Sequence, residues 1–138
     1  MNGVALGADI RDCSVFGRAS RFRNIFEGLD WLEYAELGLI IGIEDGRVQS
    51  FDCPIALPES YTNDTRFRCS TPLIHEAGLT LGPTTAESDL EDFFGRAIDR
   101  DEDDEEIAIS FERKGITHEF EFHRSEGPCL TSFTVNQD

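Results

Sequence analysis

Two stretches near the end of the chain alternate apolar and polar residues with a period of two. Ile107, Ile109 and Phe111 alternate with Ala108, Ser110 and Glu112, and His118, Phe120 and Phe122 alternate with Glu119, Glu121 and His123. That period puts one set on a buried sheet face and the other on a wet face, so it predicts two strands. Lys114-Gly115 between them predicts a tight turn. Ser125-Glu-Gly-Pro128 predicts a further turn before a last strand, Leu130 to Val135. Ahead of these strands, Ala86, Leu90, Phe93, Phe94 and Ala97 recur at helical spacing. The spacing predicts a short helix from Thr85 to Phe94, opened by a Thr-x-x-Glu capping box within 83–87 and closed by Gly95.

The first half repeats this order. A helix is predicted over Asp9 to Phe16, then alternating runs at Trp31–Tyr34 and Leu39–Ile43, a hairpin turn at Asp45-Gly46 and a strand at Val48–Phe51. Phe16-Gly-Arg-Ala19 returns as Phe94-Gly-Arg-Ala97, Gly3-Val-Ala-Leu-Gly7 as Gly78-Leu-Thr-Leu-Gly82, and Val48-Gln-Ser-Phe51 as Leu130-Thr-Ser-Phe133. Matches in the same order point to an internal repeat. Repeat 1 covers about 3–53 and repeat 2 about 78–135. The connector over 54–77 holds three prolines and a short strand at Arg66–Cys69. A helix with three strands buries too little surface to be stable alone. The expectation is one α+β domain over 1–138, built from two pseudo-symmetric helix-plus-three-strand units that share one sheet or core.

Charge changes the picture next. The chain has 28 acidic and 12 basic residues, a net charge of -16. Phosphate backbones and anionic membranes repel such a chain, so no direct binding to nucleic acid or membrane is expected. Residues 70–138 carry 17 of the acids and only 5 of the bases. The start has no basic segment followed by an apolar one, and no apolar run is long enough for a membrane helix, so a cytoplasmic location is expected. Cys13, Cys53, Cys69 and Cys129 are widely spaced without a CxxC and read as reduced, packed thiols.

No nucleophile elbow, phosphate loop or HExxH stands in the sequence. The acidic run Asp99–Glu106 lacks the glycine of a calcium loop in either register that supplies its first ligand from Asp99 or Asp101. His118 and His123 are five apart and fall on opposite faces of one strand, so they and Cys129 read as structural rather than as zinc ligands. No metal and no cofactor are expected. Arg18, Arg21 and Arg23 around Phe22, with Arg66 and Arg68 around Phe67, read as partners for the chain's own acids. The acidic run reads both as a solvated loop between helix and strand and as a patch that attracts a basic partner. The wet sheet face is expected to carry Trp31, Glu33, Thr117, Glu119, Glu121 and His123, with Ile40 beside them. A Trp among carboxylates suits an interface anchor, or else lies in the core under a helix.

The stretch Gly82 to Gly95 resembles the repeat of the small outer-membrane lipoprotein family that includes the assembly factor SmpA/OmlA. The tandem arrangement is similar to the layout of β-lactamase inhibitor protein. Ala19 and Ala97 stand where the family usually has proline, and Cys13 has no apolar segment before it, which sets aside the lipoprotein branch. The resemblance implies a scaffold that offers a curved antiparallel sheet to a protein, as in small acidic immunity proteins of bacterial toxin systems. The expected function is therefore a non-enzymatic immunity or inhibitor protein that occludes a toxin with a basic surface, such as a nuclease. Its expected contact residues are Trp31, Glu33, Asp101, Glu102, Asp103, Asp104, Glu105, Glu106, Glu119 and Glu121. The alternatives are a metal-dependent small hydrolase using clustered carboxylates and a structural adaptor.

Overall fold

Among the described residues every strand pairs antiparallel with its neighbour, and the eight strands join one sheet. The computed structural model describes residues 3–55, 81–124 and 129–136. The strands are β1 (Arg21–Phe26), β2 (Leu29–Tyr34), β3 (Leu39–Glu44), β4 (Arg47–Pro54), β5 (Asp99–Glu102), β6 (Glu106–Arg113), β7 (Ile116–His123) and β8 (Cys129–Asn136). Their order in the sheet is β1-β2-β3-β4-β8-β7-β6-β5. Each half of the chain is thus a four-strand meander, and the halves meet where β4 pairs with β8.

This corrects the expected helix-plus-three-strand units. A single eight-stranded sheet dominates, and the helices are short. The fourth strand of each half, β1 or β5, is an edge strand made of Arg-Phe-Arg-Asn-Ile-Phe or Asp-Arg-Asp-Glu. Neither shows clean apolar alternation, because an edge strand has only one neighbour and little core to cover. Both segments therefore read as polar connections in the sequence.

Helical structure opens each half. A 3-10 helix, Ile10–Phe16, starts where the Asp9 carboxylate accepts the Arg11 backbone N–H. In the second half, α1 (Glu87–Phe94) has Ala86 at its N-cap, and the Asp89 carboxylate accepts the Ala86 N–H at 2.8 Å. The helix start thus lies two residues beyond the expected one, and Thr85 instead accepts the Gly82 N–H. A 3-10 turn at Ala35–Leu37 ends at Gly38, which is left-handed. The turns at Asp45-Gly46 and Lys114-Gly115 each hold two residues at positive φ, the geometry that matches strand twist in a two-residue hairpin.

Alternation divides the sheet into two faces. Ile41, Phe51, Phe111, Phe120, Phe122, Leu130 and Phe133 are buried on one. Phe120 stacks on Phe133 at 4.9 Å between ring centres, and Phe94 of α1 lies over Phe111 at 5.1 Å. His118 is buried on the same face, between Phe94 and Phe133, as a core residue. On the other half, Cys13 and Phe16 of the 3-10 helix pack with this core, Phe16 against Tyr34. Both helical segments therefore cover the same apolar face. Cys13 and Cys53 are buried free thiols, and burial pushes the Cys53 thiol up to about 12, beyond reactive range at neutral pH. The connector, its strand at Arg66–Cys69, most of Gly78–Gly82, the turn at 125–128 and the side chain of Cys129 lie outside the described residues.

Candidate functional site

Residues directly opposite in an antiparallel pair share a face, so the strand register lays out the side of the sheet away from the helices. One row takes a residue from every strand: Arg21, Glu33, Ile40, Asp52, Thr134, Glu119, Ser110 and Asp99. Seven gaps of about 4.8 Å make the row roughly 34 Å long. A second row runs Arg23, Trp31, Gly42, Ser50, Asn136, Thr117 and Glu112. A third places Pro54, Ser132, Glu121, Ala108 and Asp101 side by side. The face is polar, with small or hydroxyl side chains separating the carboxylates.

The centre of this face holds Asp52, Glu119 and Glu121. Thr134 Oγ1 donates to Asp52 Oδ1 at 2.8 Å, and Ser50 Oγ donates to Asp52 Oδ2 at 3.2 Å. Ser132 Oγ donates to Glu121 Oε2 at 2.8 Å, and Ser110 donates to Glu119. Among the described residues no cationic side chain of the chain pairs with these three carboxylates. Burial raises the Asp52 carboxyl above its ordinary value, against the two hydroxyl bonds, and the charge of Glu121 adds to the rise. Burial also raises Glu119, with Glu121, Asp52 and Asp99 pushing the same way. A half-buried group of like charges without a counter-charge costs free energy that a cation from outside would recover. Asn136 Oδ1, in the next row beside Ser50, is buried without a hydrogen-bond partner among the described residues.

At the other end of the face the character changes. Trp31 is half-buried there rather than part of the core under a helix. The Arg23 guanidinium lies 5.8 Å from the Trp31 ring centre and reaches buried Glu33 at 3.3 Å. Arg23 thus pairs with the chain's own acid, and Trp31 is covered by that cation rather than bare.

The acidic run is not a loop between helix and strand. Asp99 to Glu102 form β5, Asp103 to Glu105 the turn, and Glu106 opens β6. Alternation splits the run. Asp101 shares the polar face with Glu119 and Glu121 through Ala108, and Glu106 lies there opposite His123. Glu102 stands opposite buried Ile107, on the other side, and is held by Arg100 and Arg124 at 2.5 Å each. The Arg100 side chain lowers the Glu102 carboxyl. Asp103 accepts the backbone N–H groups of Glu106 and Glu105, which lowers its carboxyl and fixes the turn. Asp104 and Glu105 are exposed on that turn.

Of the expected contact residues, the structure therefore gathers Trp31, Glu33, Asp101, Glu106, Glu119 and Glu121 on one face and sends Glu102 to the other. Sequence reasoning missed Asp52, Ser50 and Thr134, and it placed Asp99 in the acidic run without naming it as a contact residue. The signal for Asp52 was present: Phe51 and Cys53 are both apolar, so alternation continued past Phe51 leaves Asp52 beside Ser50 on the wet face. Among the described residues, no three His, Cys, Asp or Glu side chains are grouped to hold a metal ion. Among them, too, no helix is long and apolar enough to cross a membrane. No protein-family model, no curated protein and no solved structure matches this chain.

Proposed function

We propose that the chain is a non-enzymatic immunity or inhibitor protein that occludes a basic protein toxin with the polar face of its sheet. One observation carries the reading. Asp52, Glu119 and Glu121 sit half-buried at the centre of a face spanning the eight strands, with hydroxyls beside them and, among the described residues, no paired cation. A basic surface set down there brings the missing counter-charges, and the charge of -16 steers it in. Sheet strands fix these side chains in place before contact, which limits the ordering cost of binding. The resemblance to the tandem lipoprotein-type repeat and to small acidic immunity proteins supports the same reading, which places the protein in the cytoplasm with its target.

The test is capture of partners from the source cells by the tagged protein, at low and at high salt, followed by assay of the captured protein. The expected result is a basic protein released by salt, whose activity falls to background when one equivalent of this chain is added. A partner whose activity is unchanged by saturating chain contradicts the inhibitor reading and favours the adaptor. Thermal stabilisation by magnesium, manganese, calcium or zinc would instead favour the carboxylate hydrolase.

A further inference from the structure

Resting on that reading of the polar face, we propose that the partner's contact element is a basic α-helix laid across the strands, with cations seven residues apart. The register supplies the spacing. Asp52 on β4, Glu119 on β7 and Asp99 on β5 occupy alternate strands of one row, with Thr134 and Ser110 between them. Alternate strands are about 9.6 Å apart. Seven residues of α-helix rise about 10.5 Å and return to nearly the same side, so one helical stripe meets all three carboxylates. An extended segment fits poorly. Its side chains on one side recur every second residue, at about 6.8 or 13.6 Å, and the three-residue step of about 10 Å points the other way.

Two further features fit a donor-rich helix. The short side chains of Thr134 and Ser110 leave room between the carboxylates for a helix to lie close. Asn136 Oδ1, in the neighbouring row, has no hydrogen-bond partner among the described residues, and a turn of this half-buried side chain toward the face would offer an acceptor to arginine or lysine, which carry only donors. The groups facing Glu119 are the carboxylates of Glu121, Asp52 and Asp99 and the Ser110 hydroxyl, so the charges around it repel one another until a cation arrives.

The probe is a pair of alanine-rich helical peptides of equal length and charge, labelled for fluorescence anisotropy. One carries three arginines seven residues apart; the other carries them five residues apart, on different sides of the helix. The full chain is expected to bind the first about tenfold tighter than the second at low salt. Asp52→Asn with Glu119→Gln is expected to remove that preference, whereas Asp12→Asn, an exposed change in the 3-10 helix, leaves it. Equal binding of the two peptides overturns the helix spacing and leaves the basic-partner reading standing. Binding of neither peptide by folded chain overturns both.

Discussion

Gly42 lies on the polar face directly opposite Ser50, and its replacement tests the packing on which that face depends. A Cβ on Gly42 runs into Ser50 Oγ, well inside van der Waals contact, but stands 3.6 Å from Ser50 Cβ, an ordinary distance. Its φ is not in the left-handed region, so alanine brings no backbone strain. In Gly42→Ala the Ser50 hydroxyl must turn away and give up its 3.2 Å bond to Asp52 Oδ2. Loss of a hydrogen bond to a charged group and crowding together cost about 2–3 kcal/mol, against roughly 0.5–1 kcal/mol gained by replacing a strand glycine. The net expectation is destabilisation by about 1.5 kcal/mol. Ser50→Ala alone costs about 1 kcal/mol. In the double variant the obstacle is gone and the glycine gain offsets most of the lost Ser50 bond, so the pair is roughly 2 kcal/mol more stable than additivity. Urea unfolding of the four proteins reads this coupling directly. Additivity within about 0.5 kcal/mol would refute the placement of Ser50 between Gly42 and Asp52.

Asp52 and Glu119 have raised carboxyls in the folded state, so the fold holds their protons more tightly than the unfolded chain does. Stability from these groups is therefore present at low pH and is lost as pH rises from their ordinary values of 3.8 and 4.5 through the raised ones. Asp52→Asn with Glu119→Gln is expected to raise the thermal midpoint at pH 7 and to leave it unchanged near pH 3.5, and an equal gain at both would contradict the shifts. Phe120→Ala empties the stack of Phe111, Phe120 and Phe133 and is expected to cost about 3–5 kcal/mol in chemical unfolding, whereas a cost under about 1 kcal/mol would show a loose core. Arg23→Ala uncovers the one tryptophan, Trp31, and leaves buried Glu33 without its ion pair. Its emission is expected to shift to the red and stability to fall by about 1–2 kcal/mol, discounted because the arginine is partly in water.

The parts of the fold legible in the sequence are those where burial imposes a period. β6 and β7 alternate cleanly because Ile109, Phe111, Phe120 and Phe122 must face the core, and the two-residue turns show through Asp45-Gly46 and Lys114-Gly115. β1 and β5 were illegible because an edge strand covers little core, and their charges imitate a loop. That omission hid the eight-stranded sheet. The candidate face was legible in part: Glu119 and Glu121 follow from alternation within β7 alone. Their meeting with Asp52 and Asp99 required the pairing of β4 with β8 and of β5 with β6, which no local pattern specifies. The split of the acidic run was hidden for the same reason. Once Asp99–Glu102 is a strand, Asp101 and Glu102 must point to opposite sides.

The most direct test of the binding face is a charge-matched comparison. One variant neutralises Asp52, Glu119 and Glu121 on the polar face; the other neutralises Asp12, Glu91 and Asp92, exposed residues of the helical segments. Both have the same net charge, so long-range attraction falls equally. Partner capture at a fixed salt concentration, normalised to folded protein, is expected to drop at least tenfold for the first variant and by less than twofold for the second. Equal loss in both would show that only net charge attracts the partner, and loss in the second alone would place the binding surface on the helical side.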